Sequence, residues 1–146
     1  MRMEPIIRRA ACEDFDEVYP LFEQLWPGKA INRDALYTAF SRGVDSEHDV
    51  LLCAVLNAKI VGFCAYAVVN NLWQEGQIAY IYAMVVDEAF RSRGIGALLI
   101  GEVVAGAKER GLKRVELDSG FPRERAHAFY EKLGFEKRAY LFSYIL

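Results

Sequence analysis

A mixed α/β fold, with a largely antiparallel sheet and helices on both faces, follows from three features of this 146-residue chain. Two long apolar runs, VLLCAVL and IVGFCAYAVV, flank Asn57-Ala58 and read as the arms of an antiparallel hairpin. A β-favouring run ending at Val86 passes through a Gly-rich turn into a helical pattern and then into RVELD. Such a strand–helix–strand unit requires a parallel pair. Both hairpin arms are apolar almost without a break, so both faces of the sheet are expected to be covered. The expected order is β-α-α-β-β-β-α-β-α, closed by a last strand or strand pair.

Ile6 to Arg9 reads as the first strand. Glu13 or Asp14 is placed to cap a helix that carries Phe15, Val18, Leu21, Phe22 and Leu25 at helical spacing. Pro20 falls inside that pattern and predicts a kink or an early end. Trp26-Pro27-Gly28 is a break. Asn32 caps a second amphipathic helix, with Leu36, Ala39 and Phe40, ending near Gly43. Ala58 suits a two-residue turn poorly if both positions need positive φ, which points to a longer loop. Asn70 to Gly76 connects to the strand Gln77–Val86. After Gly94 a helix carries Ile95, Leu98, Leu99, Val103 and Ala107 on one face and stops at Gly111. Gly101 and Gly106 are unfavourable inside it, and a close approach of helix to sheet would account for them. Arg114 to Asp118 is a strand, Ser119 to Pro122 a loop, and Arg123 to Leu133 a helix stopped by Gly134. Phe135 to Leu146 holds the last strand or strand pair. No repeat, linker or low-complexity tract interrupts residues 1–146, which are expected to form a single domain.

Composition narrows the function classes. Hydrophobic content of 53% and charged content of 26% describe a globular chain. A net charge of −2 gives no general attraction to nucleic acid or to an anionic membrane. No apolar stretch approaches the roughly 20 residues of a membrane span, and MRMEPIIRRA lacks an apolar leader core. Cys12, Cys53 and Cys64 form no metal-ligand spacing, and reduced core thiols in a cytoplasmic protein are expected.

The chemistry concentrates in AYIYAMVVDEAFRSRGIG, residues 79–96. A strand, a tight turn and a glycine-rich helix start gather free backbone N–H groups at one point. The helix dipole adds partial positive charge there, so the site suits a phosphate or pyrophosphate. The dinucleotide fingerprint fails because its third glycine would fall on Leu99. The Walker pattern fails for want of Gly-Lys-Ser or Gly-Lys-Thr. Arg91, Gly94 and Gly96 instead form an Arg-x-x-Gly-x-Gly segment that resembles the acyl-CoA motif of the GNAT N-acetyltransferase superfamily. That resemblance implies that the backbone of Arg91, Ser92, Arg93, Gly94, Ile95 and Gly96 cradles the pyrophosphate of acetyl-CoA. It also implies that the backbone of Met84, Val85 and Val86 pairs with the pantetheine arm as an added strand would. Arg91 and Arg93 are candidates for direct phosphate contact.

A second motif, Ala126 to Phe135 (AHAFYEKLGF), is similar to the family's other signature. The resemblance makes Tyr130 a cofactor contact and the acid that protonates the departing thiolate. A phenol near pKa 10 suits a thiol whose pKa is about 8.5. His127 lies one turn earlier and is assigned no role. Arg123 stands where many relatives carry an Asn that contacts the cofactor arm, and it cannot accept a hydrogen bond. Tyr80 falls where some relatives carry a Glu base. Tyr80, Tyr82 and Met84 share one strand face by alternation, and Glu75 and Asp118 are the other candidates for the base. Phe22 to Asn32 and Tyr140 to Tyr144, with Trp26, would line the acceptor pocket.

The resemblance therefore implies an N-acetyltransferase that moves acetyl from acetyl-CoA directly to a primary amine of a small molecule. No cysteine falls in either motif, so no covalent acetyl-enzyme is expected. Homodimerisation is common among relatives. Acetylation of a protein lysine or N-terminus, or a non-catalytic acyl-CoA-binding module, are the alternatives.

Overall fold

A computed structural model describes residues 4–120 and 122–146. The part of the Ser119–Pro122 loop at residue 121, and the first three residues, lie outside the described residues. The chain folds as two compact units, residues 1–116 and 117–146.

Five strands make one mixed sheet in the order β1-β2-β3-β4-β5. They are β1 (Ile6–Arg9), β2 (Asp49–Leu56), β3 (Lys59–Asn71), β4 (Gly76–Val86) and β5 (Val115–Leu117). The first four pair antiparallel in sequence order. The lead-in to β5 runs alongside the start of β4, with Lys113 N–H donating to Gln77 O and Ala79 N–H to Arg114 O. Helices α1 (Phe15–Leu25), α2 (Arg33–Asp45) and α3 (Ile95–Glu109) complete the first unit, and α4 (Glu124–Lys132) lies in the second.

Alternation along the central strands divides the core between the two faces. Leu51, Cys53, Phe63 and Ala65 join Phe15, Val18, Leu21 and Phe22 of α1 and Phe40 of α2 in one buried cluster. On the opposite face, a Cβ placed on Gly62 would lie 3.1 Å from Leu99 and 3.2 Å from Ile95, both on α3. Glycine at 62 thus lets the first turn of α3 sit against the sheet. Gly106 has the same explanation, since a Cβ there would meet the Tyr66 hydroxyl at 2.8 Å, whereas nothing lies within 4 Å of Gly101. Close approach explains one of those two glycines.

Several expectations are corrected. Pro20 neither ends nor shortens α1, which runs on to Leu25. It removes one backbone bond, while burial of Val18, Leu21 and Phe22 on either side holds the helix. Asp14 does not cap α1 through its side chain. Its carboxylate accepts instead from Arg8 at 2.8 and 2.9 Å and from Ala11 N–H at 2.7 Å. Asn32 does cap α2, accepting from Ala35 N–H at 3.0 Å, and α2 runs two residues past Gly43 to Asp45. Ile95, Leu99, Val103 and Ala107 of α3 are buried as expected, but Leu98 is 44% exposed and Ile100 is buried instead. Cys53 and Cys64 sit on opposite faces, Cys53 opposite Phe63 and Cys64 opposite Leu52. Both are free thiols, and burial pushes each up to about 12.

The hairpin turn is the two residues Asn57-Ala58, closed by a Leu56–Lys59 pair. Ala58 takes φ +62°, a left-handed conformation that costs an L-residue with a Cβ roughly 1–2 kcal/mol. Ala58→Gly is therefore expected to raise stability by about 0.5–1 kcal/mol after the added freedom of the unfolded chain is offset. Urea unfolding with an unchanged m-value would read that gain.

The expected strand or strand pair over residues 135–146 is absent. Those residues follow an irregular path, with Phe142, Tyr144 and Ile145 about nine-tenths exposed. β-Favouring residues make a strand only beside a partner edge, and residues 135–146 form no ladder with the five strands. Among the described residues, no helix is long and apolar enough to cross a membrane.

Candidate active site

The site grows from the end of β4. Asp87 follows the strand, and its N–H donates to Val61 O at 2.8 Å. Its carboxylate caps the single 3-10 turn Glu88–Phe90 by accepting from Ala89 N–H at 3.0 Å. The chain then reverses through Ser92 at φ +64° and Gly94 at φ +79°. Ser92 carries left-handed strain, whereas Gly94 takes the same region freely.

Gly94 is the N-cap of α3 and offers no side-chain cap. The first intrahelical bond runs from Leu98 N–H to Gly94 O at 3.1 Å. The N–H groups of Ile95, Gly96 and Ala97 therefore have no acceptor within the helix. They stand at the positive end of a 15-residue helix dipole, an arrangement suited to an anion. Ile95 is buried, while Arg91 to Gly94 are exposed.

Side chains reinforce this electrostatics. Arg91 Nε reaches Val86 O at 3.4 Å. The Arg93 guanidinium and the Lys59 ammonium each lie 5.2 Å from the Phe90 ring centroid. Lys59 also stands 4.0 Å from Asp87. Gln24 of α1 accepts from Glu88 N–H at 2.9 Å and so pins the 3-10 turn from the opposite element. Sequence reasoning missed Gln24 and Lys59. Gln24 reads as one more polar position of an amphipathic helix, and Lys59 as the residue after a hairpin turn; only the fold brings them to residues 87–90.

Upstream, the register of β3 and β4 slips between Ala65 and Tyr66, which face Ala83 and Ile81. Tyr82 is the extra residue of a β-bulge. Alternation counted through Tyr80, Tyr82 and Met84 therefore breaks at this point, and these three do not share one face. Tyr82 and its neighbour Ala83 both line an apolar cavity of about 230 Å³, together with Phe22, Trp26, Phe40 and Phe63. Tyr82 is 47% exposed as a residue. Its hydroxyl nonetheless turns inward, 3.2 Å from where a Cβ on Gly43 would lie. Burial, aided by Asp49, pushes its pKa up to about 12, so the phenol stays protonated at neutral pH.

The base candidates separate. Glu75 lies in the β3–β4 turn, exposed and at φ +55°. The eleven residues of β4 stand between it and Asp87, roughly 40 Å at about 3.3 Å per residue. Tyr80 sits within β4, opposite Ala67 and half-buried. Asp118 is exposed just after β5. Met84, Val85 and Val86 complete β4 beyond the bulge, paired on one side with Cys64, Phe63 and Gly62.

In the second unit, α4 ends in a C-cap with Gly134 at φ +99°. Phe135 N–H donates to Tyr130 O and Gly134 N–H to Glu131 O, the bonding of a Schellman motif. Tyr130 is half-buried and meets Phe129 and Phe135 edge-on, with centroids 5.3 and 5.7 Å apart. His127 Nε2 lies 2.9 Å from Gly120 O, so the ring donates to that carbonyl and closes the loop ahead of α4. Tyr140 and Tyr144, expected at the acceptor pocket, are 73% and 90% exposed.

Known proteins carry the same organisation. The chain is 39% identical over 94 residues to an uncharacterised N-acetyltransferase of Methanocaldococcus jannaschii, matching 63% of this chain and 41% of that one. It thus spans less than half of that relative's length. It is 26% identical over 137 residues to the aminoalkylphosphonate N-acetyltransferase of Salmonella typhimurium, covering 94% and 88% of the two chains. An aminoglycoside N-acetyltransferase solved in complex with CoA has the same fold, with a TM-score of 0.87 over 100% of this chain and 97% of that one at 20% identity. The sequence model of one family takes in both the turn before α3 and the helix before Gly134, matching residues 12–135, and on that evidence the chain belongs to the acetyltransferase (GNAT) family.

Proposed function

We propose that this protein transfers the acetyl group of acetyl-CoA directly to a primary amine of a small molecule. The observation that carries the reading is the uncapped start of α3, where Gly94 leaves the N–H groups of Ile95, Gly96 and Ala97 without helix acceptors. In this reading those groups, with the turn from Arg91 and the Arg93 side chain, hold the pyrophosphate. The backbone of Met84, Val85 and Val86 pairs with the pantetheine arm and brings the thioester to the bulge at Tyr82. Support comes from the length of β5, three residues against eleven in β4, and from the relatives named for N-acetyl transfer to small amines.

The amine nitrogen attacks the thioester carbonyl; a C–N bond forms, the C–S bond breaks, and sulfur leaves with the bonding pair. The nitrogen gives up a proton to water and the thiolate takes one, in this reading from Tyr130, whose support is the motif that carries it. Tyr82 stays protonated and is no base, and Glu75 is too distant along β4 to serve. Tyr80 remains the candidate to position the water that accepts the amine proton. The single domain, a cytoplasmic location and a homodimer belong to the same proposal, the last supported by the exposed apolar residues Leu141, Phe142 and Ile145.

Initial rates measured against both substrates test the mechanism. Intersecting double-reciprocal lines are expected for a ternary complex, and parallel lines would contradict direct transfer.

A further inference from the structure

We infer that the acceptor is an amine with an apolar skeleton, an arylalkyl or branched alkyl amine of single-ring size, rather than an amino sugar or a polyamine. The inference rests on the proposed acetyl transfer and names its acceptor class.

The cavity at the bulge supplies the argument. Phe22 and Trp26 stack with centroids 5.4 Å apart and planes within 8°. Phe63 meets Phe22 edge-on at 5.3 Å and stacks with Phe40 at 5.7 Å. No lining residue carries a charge, and the Tyr82 hydroxyl and the Trp26 indole N–H are the polar side-chain groups among the lining residues. Amino sugars and polyamines bring several ammonium or hydroxyl groups, each of which would lose water here without a carboxylate or a hydrogen-bond partner in return. An aromatic or branched aliphatic group loses nothing polar and gains about 25 cal/mol per Å² buried.

Size agrees with chemistry. A cavity of about 150 Å³ accommodates benzene, so about 230 Å³ is room for one ring with a short chain. Position agrees as well. Tyr82 and Ala83 form one wall and lead without interruption into Met84–Val86, the backbone proposed to carry the thioester. An amine whose apolar group fills the cavity holds its nitrogen toward that backbone. There the C–N bond forms as the C–S bond breaks, releasing the amide and the CoA thiol.

The test uses the full chain carrying Trp73→Phe, which leaves Trp26 as the sole tryptophan of two. 2-Phenylethylamine and 3-methylbutylamine are compared with spermidine and glucosamine, by Trp26 fluorescence in the presence of CoA and by thiol release from acetyl-CoA. The apolar amines are expected to shift the fluorescence saturably and to show kcat/KM at least about 10-fold above the polar ones. Ala39→Phe, at an exposed position of α2 that lines the cavity, should raise their Kd and KM by at least about 10-fold. The Kd of acetyl-CoA should not move, which also verifies that the variant is folded. Faster turnover of the polar amines, or indifference of both readouts to Ala39→Phe, overturns the inference and leaves acetyl transfer standing. Saturable binding of apolar amines that Ala39→Phe weakens, with no amine turned over, supports the cavity assignment and overturns acetyl transfer.

Discussion

Tyr130→Phe is expected to lower kcat by about 100-fold, the lower end of what a positioned acid contributes, while the Kd of acetyl-CoA changes by less than about twofold. The substitution removes only the hydroxyl. The ring keeps its edge-on contacts with Phe129 and Phe135, and the backbone bonds that close α4 at Gly134 do not involve the side chain. The loss should lie in the chemical step. Donor leaving groups separate acid catalysis from packing. A thioester whose thiol has a lower pKa needs less protonation, so the variant should recover part of its rate with such a donor. Unchanged kcat, or an equal loss with every donor, would reduce Tyr130 to a packing residue.

Gly94→Asp addresses the other half of the proposal. Nothing lies within 4 Å of a Cβ at this position, so the obstacle is conformational, at φ +79°. Asp tolerates the left-handed region better than most residues, and a carboxylate at a helix N-terminus favours the fold. Stability should change by no more than about 1 kcal/mol. The same carboxylate would stand among the N–H groups proposed for the pyrophosphate. Losing two or so charge-assisted hydrogen bonds, at about 1.5–3 kcal/mol each, should raise the Kd of acetyl-CoA by at least about 100-fold. Calorimetric titration with CoA reads this directly. An unchanged Kd with normal stability would remove the phosphate from this turn.

Periodicity and turn chemistry made most of the first unit legible. The capping oxygen of Asn32, the stop of α3 at Gly111 and the hairpin at Asn57-Ala58 are local features, decided by a few neighbouring residues. Where tertiary packing decides, the reading failed. Pro20 breaks a helix in isolation, but the buried residues around it keep α1 intact. Leu98 fits the helical face by spacing, yet it is exposed and Ile100 is buried. The bulge at Tyr82 has no sequence mark, because it is a mismatch between two strands rather than a property of either. It is also the feature that turns Tyr82 and Ala83 together into the cavity. The C-terminal run was expected to hold a strand or strand pair; composition supplies the side chains of a strand but not its neighbour.

The candidate site divides along the same line. The turn from Arg91 to Gly96 was readable because glycine spacing reports backbone geometry, here Gly94 at φ +79° opening α3; its use as an anion cradle is the proposal. The residues that brace it, Gln24 and Lys59, come from distant elements and bear no motif. Glu75 was nominated by nearness in sequence to β4, and the length of the strand then placed it at the wrong end.

The most direct measurement is the release of CoA thiol from acetyl-CoA, followed with and without an amine acceptor. Release stoichiometric with N-acetylated amine, and no burst in the amine's absence, is the expected result. One equivalent of thiol released before amine is added, or none with any amine, would contradict it.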